Sequence, residues 1–338
     1  MKQEQGTILT IAIVAFNSET VLQQCIDSLA AQSFRKFRVH IVDNGSAFPV
    51  KNYIILPDDR FVLIKSEINT GYAGGANLGL LNTNTKWVIS MNPDVLLSRH
   101  CLSRLLDAVN EQPQAAMAAP LLFIPKMGRS IDGFGDVLSI FGIAWRGGYQ
   151  APVKLEHFKQ NVQVFSPCGA MAMYRGDIFR SLGGFDESFF CYLEDVDLGL
   201  RINSHGYKAI LVPRAHGWHA GNASSKKPSG FIEFHTSKNF VNMIFKSVPI
   251  ALILPMFVLH LLVFIWLDVR NIQTSKQAAR RKGLSKSIRQ IPSFIRQRMK
   301  RKRYPLGASL RVANMLSWSI KVSSQYKIYS WKKKPCPK

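Results

Sequence analysis

An α/β layer fold on a mixed, mostly parallel sheet flanked by helices is what the first half of the chain predicts, from three observations. Short apolar runs alternate with stretches of helical periodicity. The opening run is near-continuous, not alternating, the pattern of a strand buried on both faces. The runs lead to polar residues, Asn17, Asp43, Asn69 and Asp94. Parallel sheets collect ligands at the carboxyl ends of their strands, so these four are candidates for one crevice.

The elements follow in order. Residues 8–14 read as the first strand. Ser18 follows, then a helix over about 19–32 with Val21, Leu22, Cys25, Ile26 and Leu29 on one face. The second strand, 37–42, stops at Asp43-Asn44-Gly45-Ser46. The third, 61–64, leads through a glycine-rich segment into a helix over 71–81. The fourth, 87–91, ends at Asn92-Pro93-Asp94. The middle, about 120–225, is less periodic. A helix is expected to start within Glu194-Asp195-Val196-Asp197, since carboxylates suit a helix N-terminus, and to run to about His205 with Gly206 as its cap. A short strand, 208–212, ends at Pro213.

Composition narrows the class. A 338-residue chain suits about two domains, and 47% apolar against 19% charged residues excludes wholesale disorder. The net charge of +23 is concentrated: residues 271–338 hold 19 Lys and Arg and no Asp or Glu, leaving 25 basic and 21 acidic residues before them. Cys25, Cys101, Cys168, Cys191 and Cys336 form no C-x-x-C pair, which argues against a disulfide framework or zinc knuckle and fits a reducing cytosol. The first apolar run is short and reads as a strand, not a signal peptide, so the main domain is expected in the cytoplasm.

Several residues have chemistry to offer. Asp43 and Asp94 end apolar strands, where a carboxylate can hold a base, a ribose or a hard cation bridging a diphosphate, or simply cap a turn. The segment 69–79 is no G-x-G-x-x-G fingerprint, and the first strand-to-helix turn lacks glycine, so a Rossmann dehydrogenase is disfavoured. Its glycines fit either close approach of a ligand to a helix start or tight helix–strand packing. Three carboxylates crowd into Glu194, Asp195 and Asp197; crowding raises a pKa, as a general base requires, though a helix-capping turn has the same composition. His216 and His219 stand three apart, and zinc would need further ligands.

Together these segments resemble the inverting family 2 glycosyltransferases of GT-A fold, in the bacterial rhamnosyltransferase-like branch, over about 8–246. The resemblance rests on Val14-Ala15-Phe16-Asn17, Val42-Asp43-Asn44-Gly45-Ser46, Asn69-Thr70-Gly71 through Asn77-Leu78-Gly79, Asn92-Pro93-Asp94, Gly183-Gly184-Phe185-Asp186-Glu187 and Glu194-Asp195-Val196-Asp197-Leu198, in that order. It implies a catalytic domain over 1–246, nucleotide-binding to about 118 and acceptor-binding from about 119. It implies nucleotide-sugar contacts at Ala15, Asn17, Asp43, Asn69, Gly71, Asn77, Asn92, Asp94 and Gly169, with Asp43 on uracil or thymine. Asn92 replaces the first aspartate of the family's D-x-D motif. A divalent cation, Mn²⁺ or Mg²⁺, would sit on Asp94 and on His219, the histidine that ends a family-like segment over 212–219. The cation and a helix N-terminus would neutralise the diphosphate leaving group. Asp195 is the general base by the motif match, with Glu194 beside it; sequence alone does not separate the two.

Residues 247–267 hold no charged side chain, a length that can span a bilayer, interrupted by Pro249, Pro255 and His260. Spanning would place the 19 cations opposite a cytosolic catalytic domain, against the positive-inside rule. The expectation is a membrane-associating helix over 247–270 lying in the cytoplasmic leaflet of the plasma membrane, with the basic 271–338 extension on anionic headgroups. A core helix with a solvated extension is the alternative. Trp318, Tyr326, Tyr329 and Trp331 could stack bases, but suit a membrane interface equally, and no nucleic acid is expected. The expected reaction is transfer from a nucleotide-diphospho-sugar, dTDP-L-rhamnose first, to a lipid-linked or cell-surface glycan. A UDP-sugar donor or a silent nucleotide-sugar- or lipid-binding homologue is the alternative.

Overall fold

The structure, a computed structural model, describes residues 6–125, 130–150, 159–221, 228–270 and 274–318. The chain opens with β1 (Leu9–Ala15), α1 (Leu22–Ala30), β2 (Phe37–Asn44), β3 (Phe61–Ser66), α2 (Gly71–Leu80), β4 (Trp87–Met91), β5 (Val95–Leu97) and α3 (Cys101–Glu111). There follow β6 (Ala115–Phe123), β7 (Ile131–Gly133), β8 (Asp136–Leu138), β9 (Ala144–Arg146), β10 (Val162–Val164), β11 (Met171–Arg175), α4 (Gly176–Ser181), α5 (Glu194–Ser204) and β12 (Lys208–His219). Helices α6 (Phe231–Ser247), α7 (Ile250–Arg270), α8 (Thr274–Lys300) and α9 (Ala308–Ala313) complete the described chain.

The main sheet is mixed and mostly parallel, in the order β10-β12-β6-β11-β4-β1-β2-β3. Strand β1 pairs in parallel with β2 and β4, and β3 extends the parallel block. Strand β11 is antiparallel to both its neighbours. Every residue of β1 is buried, as its unbroken apolar run requires. Leu9, Ile11 and Ile13 pack with α1 and α3 on one face, and Ala12 and Val14 with α2 on the other. Each such aliphatic side chain contributes about 1.5–3 kcal/mol by leaving water. The sheet grows toward β2 on one side of β1 and toward β4 on the other, so a crevice opens at this switch point.

Two details depart from the sequence reading, and a third decides an alternative it left open. Helix α1 starts at Leu22, not at residue 19, because the Ser18 hydroxyl turns back to bond Phe16 and leaves the helix without a side-chain cap. Strand β12 does not stop at Pro213. A register shift between Val212 and His216 absorbs the proline, which has no N–H for the ladder, and pairing resumes to His219. The glycines of α2 serve packing: a Cβ on Gly79 would sit 2.7 Å from Ala12 Cβ, and one on Gly75 2.7 Å from Val14 Cγ1.

Much of the basic extension is helical, and part of its charge turns inward. Arg298 donates to Val248 O (2.7 Å), Arg301 to Ser247 Oγ (2.5 Å) and Arg311 to Ser204 O (3.0 Å). Helix α8 crosses α6 closely at Gly283, where a Cβ would meet Phe234 O at 2.3 Å. Tyr326, Tyr329 and Trp331 lie outside the described residues.

Gly79→Val should lower stability by about 1–3 kcal/mol in urea denaturation, because the α2–β1 contact has no room for the added carbons. Leu78→Val, on the exposed side of the same helix, should change it far less.

Candidate active site

The geometry begins at the carboxyl ends of β1, β2 and β4. Ala15 pairs with Asp43 across β1 and β2. Asp43 is buried, and its two oxygens accept from Ser46 N (3.1 Å) and Val50 N (3.0 Å), folding the 44–50 loop around it. Asn17 has a left-handed backbone (φ 49°) and accepts from Ala47 N, closing the same pocket wall. Asn69 accepts from Gly71 N (2.8 Å), and Ala73 N donates to Phe190 O (3.2 Å). These N–H groups at the start of α2 are therefore engaged by the protein and not held open for a diphosphate. Asn77 is not brought to the crevice: it is buried and bonds Phe185 N, Phe185 O and Glu187, tying α2 to the 183–187 loop.

A second group forms where β4 ends. His219 pairs in register with Val95, so its ring reaches Asn92 and Asp94. Its Nε2 lies 3.3 Å from Asp94 Oδ1 and 3.4 Å from Asn92 Nδ2. Its Nδ1 lies 2.8 Å from Asp132 Oδ2, and Arg146 Nη1 lies 2.5 Å from Asp132 Oδ1. Burial opposes a charged ring here, but the Asp132 and Asp94 carboxylates outweigh it and lift His219 to about 9. His216, an odd number of residues away, points elsewhere and contacts Phe123 and Trp218.

These residues fit a divalent cation. Nδ1 is engaged by Asp132, so release of the Nε2 proton would leave a lone pair facing Asp94, where a cation could be held between them. An imidazole nitrogen, a carboxylate and substrate phosphate oxygens form a donor set suited to Mn²⁺ or Mg²⁺. Asp132 and Arg146 were invisible to the sequence reading, although Asp132 and Asp136 stand in a glycine-interrupted segment, with Gly133 and Gly135 at φ 144° and 120°, that marks an unusual turn.

The third group opens α5. The three crowded carboxylates of the sequence separate. Asp197 faces away, pairing with Arg201 (2.8 Å) and Ser247. Glu194 is buried. Asp195 keeps partial exposure, and its oxygens accept from Gly169 N (2.7 Å) and Val196 N (2.8 Å). Burial raises its pKa while those two donors pull it down. Asp136 stands beside it, bonded by Ser166 Oγ (3.2 Å); burial, then the charge of Asp195, hold Asp136 well above the carboxylate range. The turn leading into Glu194 carries Phe190, Tyr192 and Leu193 at φ 66–68°, a conformation costing about 1–3 kcal/mol per non-glycine residue.

Gly169 and Ala170 join the groups. Gly169 N holds Asp195, Gly169 O accepts from Tyr72 Oη (2.9 Å), and Ala170 O accepts from Asn92 N (2.9 Å). Adjacent residues are about 3.8 Å apart, so the Asp195 and Asn92–Asp94 sides are tied to neighbouring peptide units. Gly169, expected at the nucleotide, is placed at the Asp195 carboxylate, where a Cβ would come within 2.7 Å of Oδ2.

A family model described as Glycosyl transferase family 2 matches residues 10–183. Over 255 residues the chain is 25% identical to the N-acetylglucosaminyl-diphospho-decaprenol L-rhamnosyltransferase of Mycobacterium tuberculosis, covering 69% of this chain and 83% of the relative. The crystal structure of S. aureus TarS 1-349 in complex with UDP-GlcNAc aligns at a TM-score of 0.55 and 15% identity, over 86% of this chain and 83% of that one. GalNAc-T7 with UDP, GalNAc and Mn²⁺ aligns at a TM-score of 0.58 and 15% identity, over 90% of this chain and 59% of that one. These likenesses show the GT-A fold.

In the metal-free protein, NMR titration of His219 should give a value of about 9, and Asp132→Asn should lower it by about 1–3 units. Because the folded value exceeds the ordinary 6.5, the stability His219 lends is complete below pH 6.5 and fades as pH climbs to about 9. Denaturation midpoints of the wild type and Asp132→Asn across that window check the sign.

Proposed function

The chain belongs to glycosyl transferase family 2, and from that premise we propose that it transfers a sugar with inversion from a nucleotide-diphospho-sugar, dTDP-L-rhamnose first, to a lipid-linked glycan acceptor. The observation that carries this reading is a partly exposed, doubly anchored Asp195 tied through Gly169 and Ala170 to the strand end that carries Asn92 and Asp94, with His219 beside Asp94. The rhamnosyl donor and the lipid diphosphate acceptor are proposed from the name of the mycobacterial relative.

The chain's own residues divide the work. Asp43 and Asn17 shape the wall that receives the nucleotide. Asp94 and His219 would hold a divalent cation, which when bound supplies positive charge against the diphosphate. Asp195 takes the proton from an acceptor hydroxyl as its oxygen attacks C1 from the face opposite the diphosphate. The C1–O bond to the diphosphate breaks, and the single displacement inverts the anomeric centre. Two backbone donors fix the Asp195 carboxylate before reaction. Glu194 is the poorer base because its side chain is buried, whereas Asp195 keeps partial exposure.

The proposed setting is the cytoplasmic face of the plasma membrane. Helix α7 is long and apolar enough to cross a membrane, yet it also exposes a stripe of Ile250, Leu254, Val258, Leu262, Ile265 and Val269. Helix α8 exposes Ile288, Ile295 and Met299 among its cations and carries no acidic residue. An apolar stripe beside a basic helix suits a surface of anionic lipid, with α7 lying in the leaflet.

Two measurements test this. Nucleoside diphosphate release from a panel of dTDP-, UDP- and GDP-sugars, with membrane lipid extract as acceptor, should require Mn²⁺ or Mg²⁺ and favour one donor. Asp195→Asn should lower it by about 10²–10⁴-fold and Glu194→Gln by less; full turnover in Asp195→Asn would overturn the mechanism. The intact protein should float with vesicles containing anionic lipid, and Leu254→Glu with Leu262→Glu should leave it in the soluble fraction. Equal recovery of the double variant with the vesicles would refute the α7 face.

A further inference from the structure

Asn239, midway along α6, takes no part in the site described above, yet it bonds the turn that delivers Asp195. Its side chain is fully buried. Its Nδ2 lies 3.0, 2.9 and 2.8 Å from the carbonyl oxygens of Phe189, Cys191 and Tyr192. Three carbonyls therefore converge on one amide nitrogen with two hydrogens. Those carbonyls belong to the turn with left-handed backbones at Phe190, Tyr192 and Leu193, which runs directly into Glu194 and Asp195.

A single 3-10 turn over Glu187–Phe189 leads into it, with Phe190 N bonding Glu187 O and Cys191 N bonding Phe189 O, and His235 stacks on Phe190. Left-handed backbones persist only where the surroundings over-determine them, and hydrogen bonds from two further helices add to these. From the sheet side, Ala73 N of α2 bonds Phe190 O. From the opposite side Asn239 gathers the carbonyls on either side of Phe190. Its own Oδ1 is buried and has no hydrogen-bond partner among the described residues. Every bond of this side chain among the described residues is therefore one that it donates to the turn.

We propose that Asn239 is a positioning residue for the general base: it clamps the 189–192 turn so that Asp195 meets the Gly169 N–H and faces the acceptor hydroxyl. This rests on the assignment of Asp195 as base. Neither a carboxylate nor an aliphatic side chain can replace the amide, since the first is repelled by three carbonyls and the second leaves them bare.

The test compares Asn239→Ala, Asn239→Asp and Asn239→Ser with Asn242→Ala, all in the full chain with metal and membrane acceptor. Asn242 is a buried amide one turn along α6 that bonds the Ser188 hydroxyl instead of the turn (2.8 Å), so it reports general loss of packing. In Asn239→Ala and Asn239→Asp, kcat should fall by about tenfold or more, as about 1 Å of misplacement can cost far more. Donor KM should stay within about twofold, because the nucleotide wall is untouched, and the acid limb of the kcat profile should move as Asp195 shifts against its donors. Asn239→Ser retains one donor in a smaller side chain and should recover part of kcat, which keeps the proposal testable where the other two fail to fold. Asn242→Ala should keep kcat and the acid limb. Equal losses at 239 and 242, or a loss confined to melting temperature, would overturn the clamp. A silent Asp195→Asn alongside a wild-type-like Asn239→Ala sinks the clamp alone, whereas an active Asp195→Asn sinks the assignment of the base.

Discussion

Two consecutive peptide units, at Gly169 and Ala170, hold the candidate site together. The first donates its N–H to Asp195, and the second accepts from Asn92 at the end of β4. The proposed base and the proposed metal-side carboxylate arise about a hundred residues apart, on different layers, so neither can set its distance to the other by local structure. The short approach to β11 does so, because it runs between them and bonds both. It tolerates no side chain at residue 169, where a Cβ would press on the Asp195 carboxylate. The left-handed turn at Phe190, Tyr192 and Leu193 leads directly into Glu194 and Asp195 at the start of α5.

The second constraint is the unbroken run of β12. His219 stands beside Asp94 because the strand resumes pairing beyond Pro213 and reaches β5 in register. Asp132 then fixes the ring from behind, and Arg146 balances the extra negative charge. A cation seated on Asp94 and His219 would have to displace the proton that the two carboxylates favour on the ring, which would link its loading to proton release.

How much of this the sequence could tell depended on the range of the interaction. The parallel block was legible because burial on both faces leaves continuous apolar runs such as residues 8–14. The glycines of α2 were ambiguous because packing on β1 and approach to a ligand ask for the same missing Cβ; the structure shows packing at Gly75 and Gly79. The start of α1 was misplaced because Ser18 looks like a cap and bonds backward instead. The end of β12 was misplaced because a bulge cannot be told from a stop at a lone proline. Asp94, Asp195 and His219 stood out through motifs. Asp132, Arg146, Asp136 and Asn239 could not, since each acts through a partner distant in sequence and sits in no periodic pattern of its own.

The family match ends at residue 183, upstream of α5, β12 and α6. A chimera joined at that boundary would part Gly169 from Asp195, and with foreign helices behind it the 189–192 turn would lose its amide anchor. A join placed earlier, before Ser166, fares no better, because the contacts of Asp94 and Asp132 with His219 and of Asn92 with Ala170 all cross it. The block that can be exchanged intact between relatives therefore runs from β1 through the Arg301 contact with Asp186, with no internal seam.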